Sequence, residues 1–364
     1  MSEALPIVPR SRLASHVALA VCVGALFLPA CGDDSSKTAR TPTSVAPTAA
    51  ATRPGAPTVA VARRAAPSWD AAIASIKDKK ASPAYGGLEI KPQDGLLPIG
   101  QDAASGLWEF VHLPSVAKDE HPIPDLMSDG TLHVTDGMGV ILVLIPGGTL
   151  TVGSALGDKD EAPVHQATLG PYFIGKYEVT QGQWARITGE VHNGLGHDNP
   201  RRMQFPRDSV AFPDADVFMK KSGLAFPTET QWEYACNAGA TTKWHTGDLA
   251  ASLKGYAHMR DIPGLATPNE TAPVGSYLPN TFGLHDMHGN VWEWTLDFYW
   301  DFSYTLPMRE GDAYREPEAQ GDRVRRGAGW NSLPNDARTT NRHRLEESVK
   351  YDSQGFRAAR PLVK

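Results

Sequence analysis

The residues best equipped for chemistry are few and scattered. His285 and His288 flank Asp286, and His192 and His197 share a glycine-rich loop. Imidazole nitrogens at such spacing hold a metal when a third donor stands within reach. No such donor stands at suitable spacing, so surface or internally satisfied histidines are the expectation. Ser332 has His343 near it in sequence, a nucleophile and a base, but no orienting carboxylate can be assigned to complete a triad. Of the three cysteines, Cys22 and Cys31 lie near the N-terminus, which excludes a disulfide framework for the rest of the chain. Cys236, in Trp232-Glu233-Tyr234-Ala235-Cys236, sits on the apolar side of an expected helix and reads as a buried, inert thiol.

These residues depend on elements that the sequence marks. Val140 to Ile145 is a continuous aliphatic run stopped by Pro146-Gly147-Gly148, a buried strand and a turn. Thr180 with Gln183 opens a helix over 181–188 closed by Gly189, and Thr228 with Gln231 opens another over 229–237 closed by Gly239. Between them Asp214 can cap a helix that runs through Lys221 and ends at Gly223. Upstream, Trp69, Ile73 and Ile76 recur at helical spacing, and 107–113 and 131–135 are strand-like. Residues 69–135 read as an accessory region packed on a main domain of residues 136–364. That domain is expected to stay folded without it.

The chain has 364 residues, 41 acidic against 35 basic, and a formal charge of −6, so no global basic field exists and nucleic acid is not an expected partner. Arg10 and Arg12 precede an apolar run from Leu13 to Ala30, the pattern of a signal peptide over residues 1–30. Leu28-Pro29-Ala30-Cys31 resembles a bacterial lipobox, which implies lipidation of Cys31. The competing reading is a transmembrane anchor, shortened by His16 and Pro29. From residue 32 to 68 the chain is rich in Ala, Pro, Thr and Ser, and together with Cys31 it reads as a tether that buries too little to fold. The folded part is then expected outside the cytoplasm, in the bacterial cell envelope. Gly32 lacks the acidic inner-membrane retention signal and so favours the outer membrane.

Seven ordered motifs carry a family resemblance. They are Pro146-Gly147-Gly148-Thr149, Lys176-Tyr177-Glu178-Val179-Thr180, the stretch Phe226 to Ala235, Thr271-Ala272-Pro273-Val274-Gly275, Gly289-Asn290-Val291-Trp292-Glu293-Trp294, Arg326-Gly327-Ala328-Gly329-Trp330 and Gly355-Phe356-Arg357. Residues 139 to 360 resemble the sulfatase-modifying factor domain, the family of formylglycine-generating enzymes. The resemblance implies an α+β, C-type-lectin-like fold with short mixed strands, two or three helices and much irregular loop. The nine tryptophans suit such a fold, because each can pin loops by burying a large apolar area. Trp232, Trp292 and Trp294 are accordingly expected to pack rather than to stack on a ligand.

The resemblance also implies copper(I) held by two cysteines, and here the chain departs from it. Ser332 and Ala337 stand at the two cysteine positions, and Gly329 replaces the active-site serine. Copper(I) is soft and needs sulfur donors, so copper-dependent formylglycine formation is not expected. The iron-dependent sulfoxide-synthase branch uses a His-x3-His-x-Glu pattern that this chain lacks. Asp336, Arg338, Arg342, His343 and Arg344 follow the lost cysteines and could line a remaining groove. Arginines there suit a carboxylate or phosphate-like group, although solvated or salt-bridged arginines are the competing reading.

Calcium is the cofactor that the resemblance retains. Its ligands carry over to the Asp286 carboxylate, the Gly289 and Val291 carbonyls and the Glu293 carboxylate, hard oxygens that suit this ion. The alternative is a metal-free loop with Asp286 capping a turn and Glu293 accepting backbone hydrogen bonds. A second family site would fall at His258 and Met259, but Ala266 and Pro268 lack its later side-chain oxygens. The expected function is a membrane-tethered, non-catalytic binding or structural module of the envelope, with an exported protein, peptide or glycan as ligand. The rivals are an enzyme of the same fold that modifies exported peptides at an unrecognised site, and an assembly partner docking through residues 69–135.

Overall fold

A computed structural model describes residues 65–190, 202–316 and 320–364. The signal peptide, Cys31, nearly all of the tether, His192 and His197 lie outside the described residues. Helix α1 is Trp69–Lys77, followed by strands β1 (Leu96–Gln101), β2 (Trp108–His112), β3 (Ile141–Ile145), β4 (Gly148–Val152), β5 (His165–Leu169) and β6 (Tyr172–Gly175). Helices α2 (Gln181–Thr188), α3 (Phe212–Ser222) and α4 (Glu229–Asn237) come next. The chain closes with β7 (Trp292–Phe298), β8 (Arg323–Arg326), β9 (His343–Leu345), β10 (Gln354–Phe356) and β11 (Ala359–Pro361). The long irregular stretch between α4 and β7 matches the expected loop-rich α+β architecture.

Both capping boxes form. The Thr180 and Thr228 hydroxyls accept from the amides of Gln183 and Gln231, whose side chains return the bond. Two helix ends differ from expectation. α3 begins at Phe212, with Pro213 in its first turn, because proline has no amide to leave unsatisfied there and Asp214 then lies inside the helix. α4 turns at Ala238, in the left-handed conformation, one residue before Gly239.

Three sheets organise the rest. The first has the order β1-β2-β3-β6-β11 with every neighbour antiparallel. The second has the order β10-β7-β8-β9, parallel between β10 and β7 and antiparallel elsewhere, and β4-β5 is a separate ribbon. The fully buried Ile141–Ile145 run sits at the centre of the first sheet, as a continuous aliphatic strand should.

The first sheet revises the notion of a separable accessory region. β2 pairs directly with β3, the Tyr85 hydroxyl donates to the Leu144 carbonyl at 2.9 Å, and Trp69 stacks on Phe110 at 5.2 Å. Ala72 and Ile76 of α1 belong to the same apolar cluster as Leu142, Phe173 and Trp294. Residues 131–135 form no strand; Leu132 makes only an isolated bridge to Leu126. β1 was not foreseen, because Pro98 and Gly100 interrupt its apolar pattern where the pairing slips.

Candidate functional site

The site grows from strand alternation in β8. Successive residues of a strand face opposite sides, so the adjacent arginines Arg325 and Arg326 must part company. Arg326 turns inward and is fully buried, its Nη1 donating to Glu229 Oε1 at 3.0 Å and its Nη2 to Glu233 Oε2 at 2.6 Å. Arg342 joins the same interior network with a two-pronged contact to Glu229, 2.6 Å from Nε and 2.9 Å from Nη2. Burial opposes ionisation of Glu229, but the guanidinium groups of Arg342 and Arg326 outweigh it and hold this carboxyl below its ordinary range.

This geometry corrects the expected groove. Arg342 is spent on Glu229, and Arg338 is spent on Glu161 at 2.7 and 2.9 Å, with Asp158 at 3.0 Å. Buried guanidinium groups are stable only when paired, which is why the interior captures both. Arg344 lies on the surface, 3.7 Å from Asp322. Of the five groove candidates, Asp336 and His343 alone reach a common pocket, where they meet Trp292, Arg325, Ser332 and Tyr351.

That pocket has a volume of about 340 Å³, at the lower end of the range for small-ligand sites. Arg325 forms its most buried charged wall. Its Nη1 donates to Gln354 Oε1 at 3.2 Å, its Nε lies 3.2 Å from His343 Nδ1, and its guanidinium carbon stands 4.6 Å from the centre of the Trp292 ring. Burial pushes the Arg325 pKa down to about 10. The His343 imidazole is also pushed down, first by burial and then by the charge of Arg325. Trp292 borders the pocket while packing in the apolar cluster with Trp244, Ala328 and Ala337.

Ser332, His343 and Asp336 share the pocket, yet no hydrogen bond joins them. The Ser332 hydroxyl accepts from the Gly329 amide at 3.1 Å, Asp336 Oδ2 accepts from the Leu333 amide at 3.0 Å, and His343 Nδ1 stands 2.9 Å from the Arg344 carbonyl. A serine without a base beside it stays a hydroxyl. Ala337 is fully buried beneath, packed with Trp244, Met259 and Trp292. Ser332 and Ala337 thus present one hydroxyl and one methyl group. Cys236 is fully buried in α4 with its thiol pushed up by desolvation, as an inert core cysteine should be. The replacement at Gly329 has a steric cause, since a Cβ there would stand 2.7 Å from the Cβ of Ser353.

Asp286, Gly289, Val291 and Glu293 are all buried. Asp286 takes the left-handed conformation and its Oδ2 accepts from the Gly275 amide at 2.7 Å. Both Glu293 oxygens are engaged, by Arg357 at 2.7 to 3.2 Å and by Trp232 Nε1 at 2.7 Å. Glu178 accepts from Asn290 at 2.6 Å and from the Val291 amide at 3.1 Å. Three buried carboxylates thus face one buried guanidinium, and burial followed by mutual repulsion pushes Glu178 well up. Burial likewise pushes Asp286 up to about 6. Glu293 is held by side-chain donors, not by the backbone amides of the metal-free alternative. His258 is taken up by Tyr277 and the Glu270 carbonyl, and His285 and His288 donate to or accept from backbone carbonyls and amides. Among the described residues no three His, Cys, Asp or Glu side chains converge as a metal cluster.

Sequence reasoning missed Arg325, Tyr351, Arg260 and Asn331 as pocket residues. The signal that could have found Arg325 is the Arg325-Arg326 pair itself, since one member of an alternating strand pair had to face outward. Tyr351 and Arg260 come from loops with no local signature.

Residues 135–362 match the sulfatase-modifying factor enzyme 1-like domain. A serine/threonine-protein kinase, Pkn1 of Chlamydia pneumoniae, is 31% identical over 244 residues, covering 61% of this chain and 38% of the kinase. The chain thus spans well under half of that relative's length. The formylglycine-generating enzyme of Mycobacterium tuberculosis is 28% identical over 223 residues, covering 43% of this chain and 74% of the enzyme. Among solved structures, PvdO from Pseudomonas aeruginosa superposes with a TM-score of 0.52 at 29% identity, covering 63% of this chain and 96% of PvdO. With the motifs in family order, the matching span and the loop-rich α+β fold in agreement, this chain belongs to the sulfatase-modifying factor enzyme 1-like domain family.

Proposed function

We propose that the chain is a lipid-anchored, non-catalytic binding module of the bacterial cell envelope, tethered through Cys31 and presenting the pocket beside Ser332 to an exported ligand. The observation that carries this reading is the pairing of an intact pocket with a hydroxyl and a buried methyl group where the family's copper thiols stand. A fold keeps its scaffold while its site changes chemistry, so membership alone does not make this chain an oxidase. We further place calcium with Asp286, Gly289, Val291 and Glu293 as a structural ion. The excess of buried carboxylates over guanidinium groups there supports it.

The rival is an enzyme of this fold acting on exported peptides, and the presence of Ser332, His343 and Asp336 in one pocket favours it. One experiment separates the two. The protein is incubated with a cysteine-containing sulfatase-type peptide, O2 and copper(I), and the peptide mass is read. No conversion above a metal-only control is expected, and conversion would overturn the non-catalytic reading. In the same preparation a chelator should lower the melting temperature, and Asp286→Ala should abolish that response; an unchanged response would remove calcium from the account. Membrane anchoring requires that Cys31→Ser release the protein from the membrane fraction.

A further inference from the structure

Taking the pocket beside Ser332 as a ligand site, we propose that it receives a small, singly charged carboxylate, seated on the Arg325 guanidinium and steered by Arg260 at the rim. Arg325 has no directly paired carboxylate; Asp336, in the same pocket, acts on it only beyond ion-pair distance. Arg326, Arg338, Arg342 and Arg357 each meet a glutamate. Arg325 is only 8% exposed, yet among the described residues no carboxylate lies within ion-pair distance of it. Its fixed partners are Gln354, His343 and the face of Trp292, and the rim of Tyr351 is 6.0 Å away.

A guanidinium carries five N–H groups in a planar fork whose geometry matches a carboxylate. Those that Gln354 and His343 do not engage are open to the solvent of the pocket. Arg325 also cannot wander, because β8 is paired on both sides, with Trp294 and His343 opposite its Cα. A buried, preorganised fork loses little freedom when a ligand arrives.

Charge sets the ligand's valence. Arg325 and exposed Arg260 bring two positive charges, and Asp336 brings one negative. Desolvation and then the charge of Arg325 favour the neutral form of His343. The resulting single positive excess matches one carboxylate better than a phosphate dianion. Trp292 and Tyr351 add flat apolar surface, while Asn331, Ser332 and Ser353 supply neutral polar groups. A compact molecule with a planar body and one carboxyl group suits both the walls and the volume of about 340 Å³.

Benzoate and its uncharged isostere benzamide test this directly by calorimetric titration of the full chain at pH 7.5. Benzoate should bind at least about tenfold more tightly than benzamide, since charge-assisted hydrogen bonds are roughly twice as strong as neutral ones. Arg260→Gln, at an exposed position, should weaken benzoate by a factor of about three, the scale of a rim charge. Arg325→Gln should abolish binding while the melting temperature holds. Equal affinity for benzoate and benzamide overturns the carboxylate but leaves a ligand pocket. Binding of neither overturns both. Undiminished benzoate binding by Arg325→Gln overturns the assigned seat, and if that variant does not fold, the benzamide comparison and Arg260→Gln still decide.

Discussion

Arg325 and Arg326 are neighbours in one short strand and live in opposite worlds. Behind β8, Arg326 joins Arg342, Glu229 and Glu233 in a network from which water is excluded, and every one of these charges has an oppositely charged partner. In front of β8, Arg325 is nearly as buried but has aromatic and amide company. The interior network is costly to interrupt and has no opening for a ligand. The pocket face leaves a guanidinium with no carboxylate among the described residues within ion-pair distance, which costs desolvation in the resting protein. Burial alone thus does not make a charged group structural. What decides is whether the fold itself supplies the counter-charge.

The comparison can be broken most forcefully from behind the strand. Glu229→Gln leaves Arg326 and Arg342 short of an anion, and removing one partner of a buried pair costs about 3–5 kcal/mol. Chemical denaturation should report a loss of that size; a loss under about 1 kcal/mol would mean that the network is wet and the contrast with Arg325 is false.

A smaller effect sharpens the same contrast through pH. Asp297, whose Oδ2 accepts from the Glu229 amide at 2.6 Å, has its pKa raised to about 7 by burial and then by the charge of Glu229. A carboxyl whose folded pKa lies above its unfolded value costs stability once ionised. That penalty grows as pH rises from about 4 through 7 and is full above it. Asp297→Asn should therefore raise the melting temperature by a few degrees at pH 8, on the order of 1–2 kcal/mol, and by much less at pH 4. An equal gain at both pH values would show that Asp297 is not a strained anion.

The smallest effect belongs to the front of the strand. Arg325→Gln removes a stacked guanidinium and a hydrogen bond but also a desolvated charge without an anion. Its stability should stay within about 1 kcal/mol of the parent. A loss comparable to that of Glu229→Gln would make Arg325 a structural residue.

Much of this could be read before the structure. The capping boxes at Thr180 and Thr228, the buried run at 141–145 and the inert Cys236 depend on residues a few positions apart, where local geometry is the whole cause. The groove was half legible. Asp336 and His343 line one pocket, while Arg338 and Arg342 are drawn inward by Glu161 and Glu229, partners more than a hundred residues away. Nothing near positions 338 and 342 announces those partners, and nothing near 107–113 announces that β2 would complete the sheet of β3.

The sequence by itself determined the family, through motifs in order, and the residue types at Ser332 and Ala337, neither of which carries sulfur. Adjacent residues of a strand face opposite sides, so Arg325 and Arg326 part once β8 forms. Only the tertiary structure decided which of them met a carboxylate. Counter-charges here come from helices and loops distant in sequence, and their arrival is a matter of packing rather than of any local pattern.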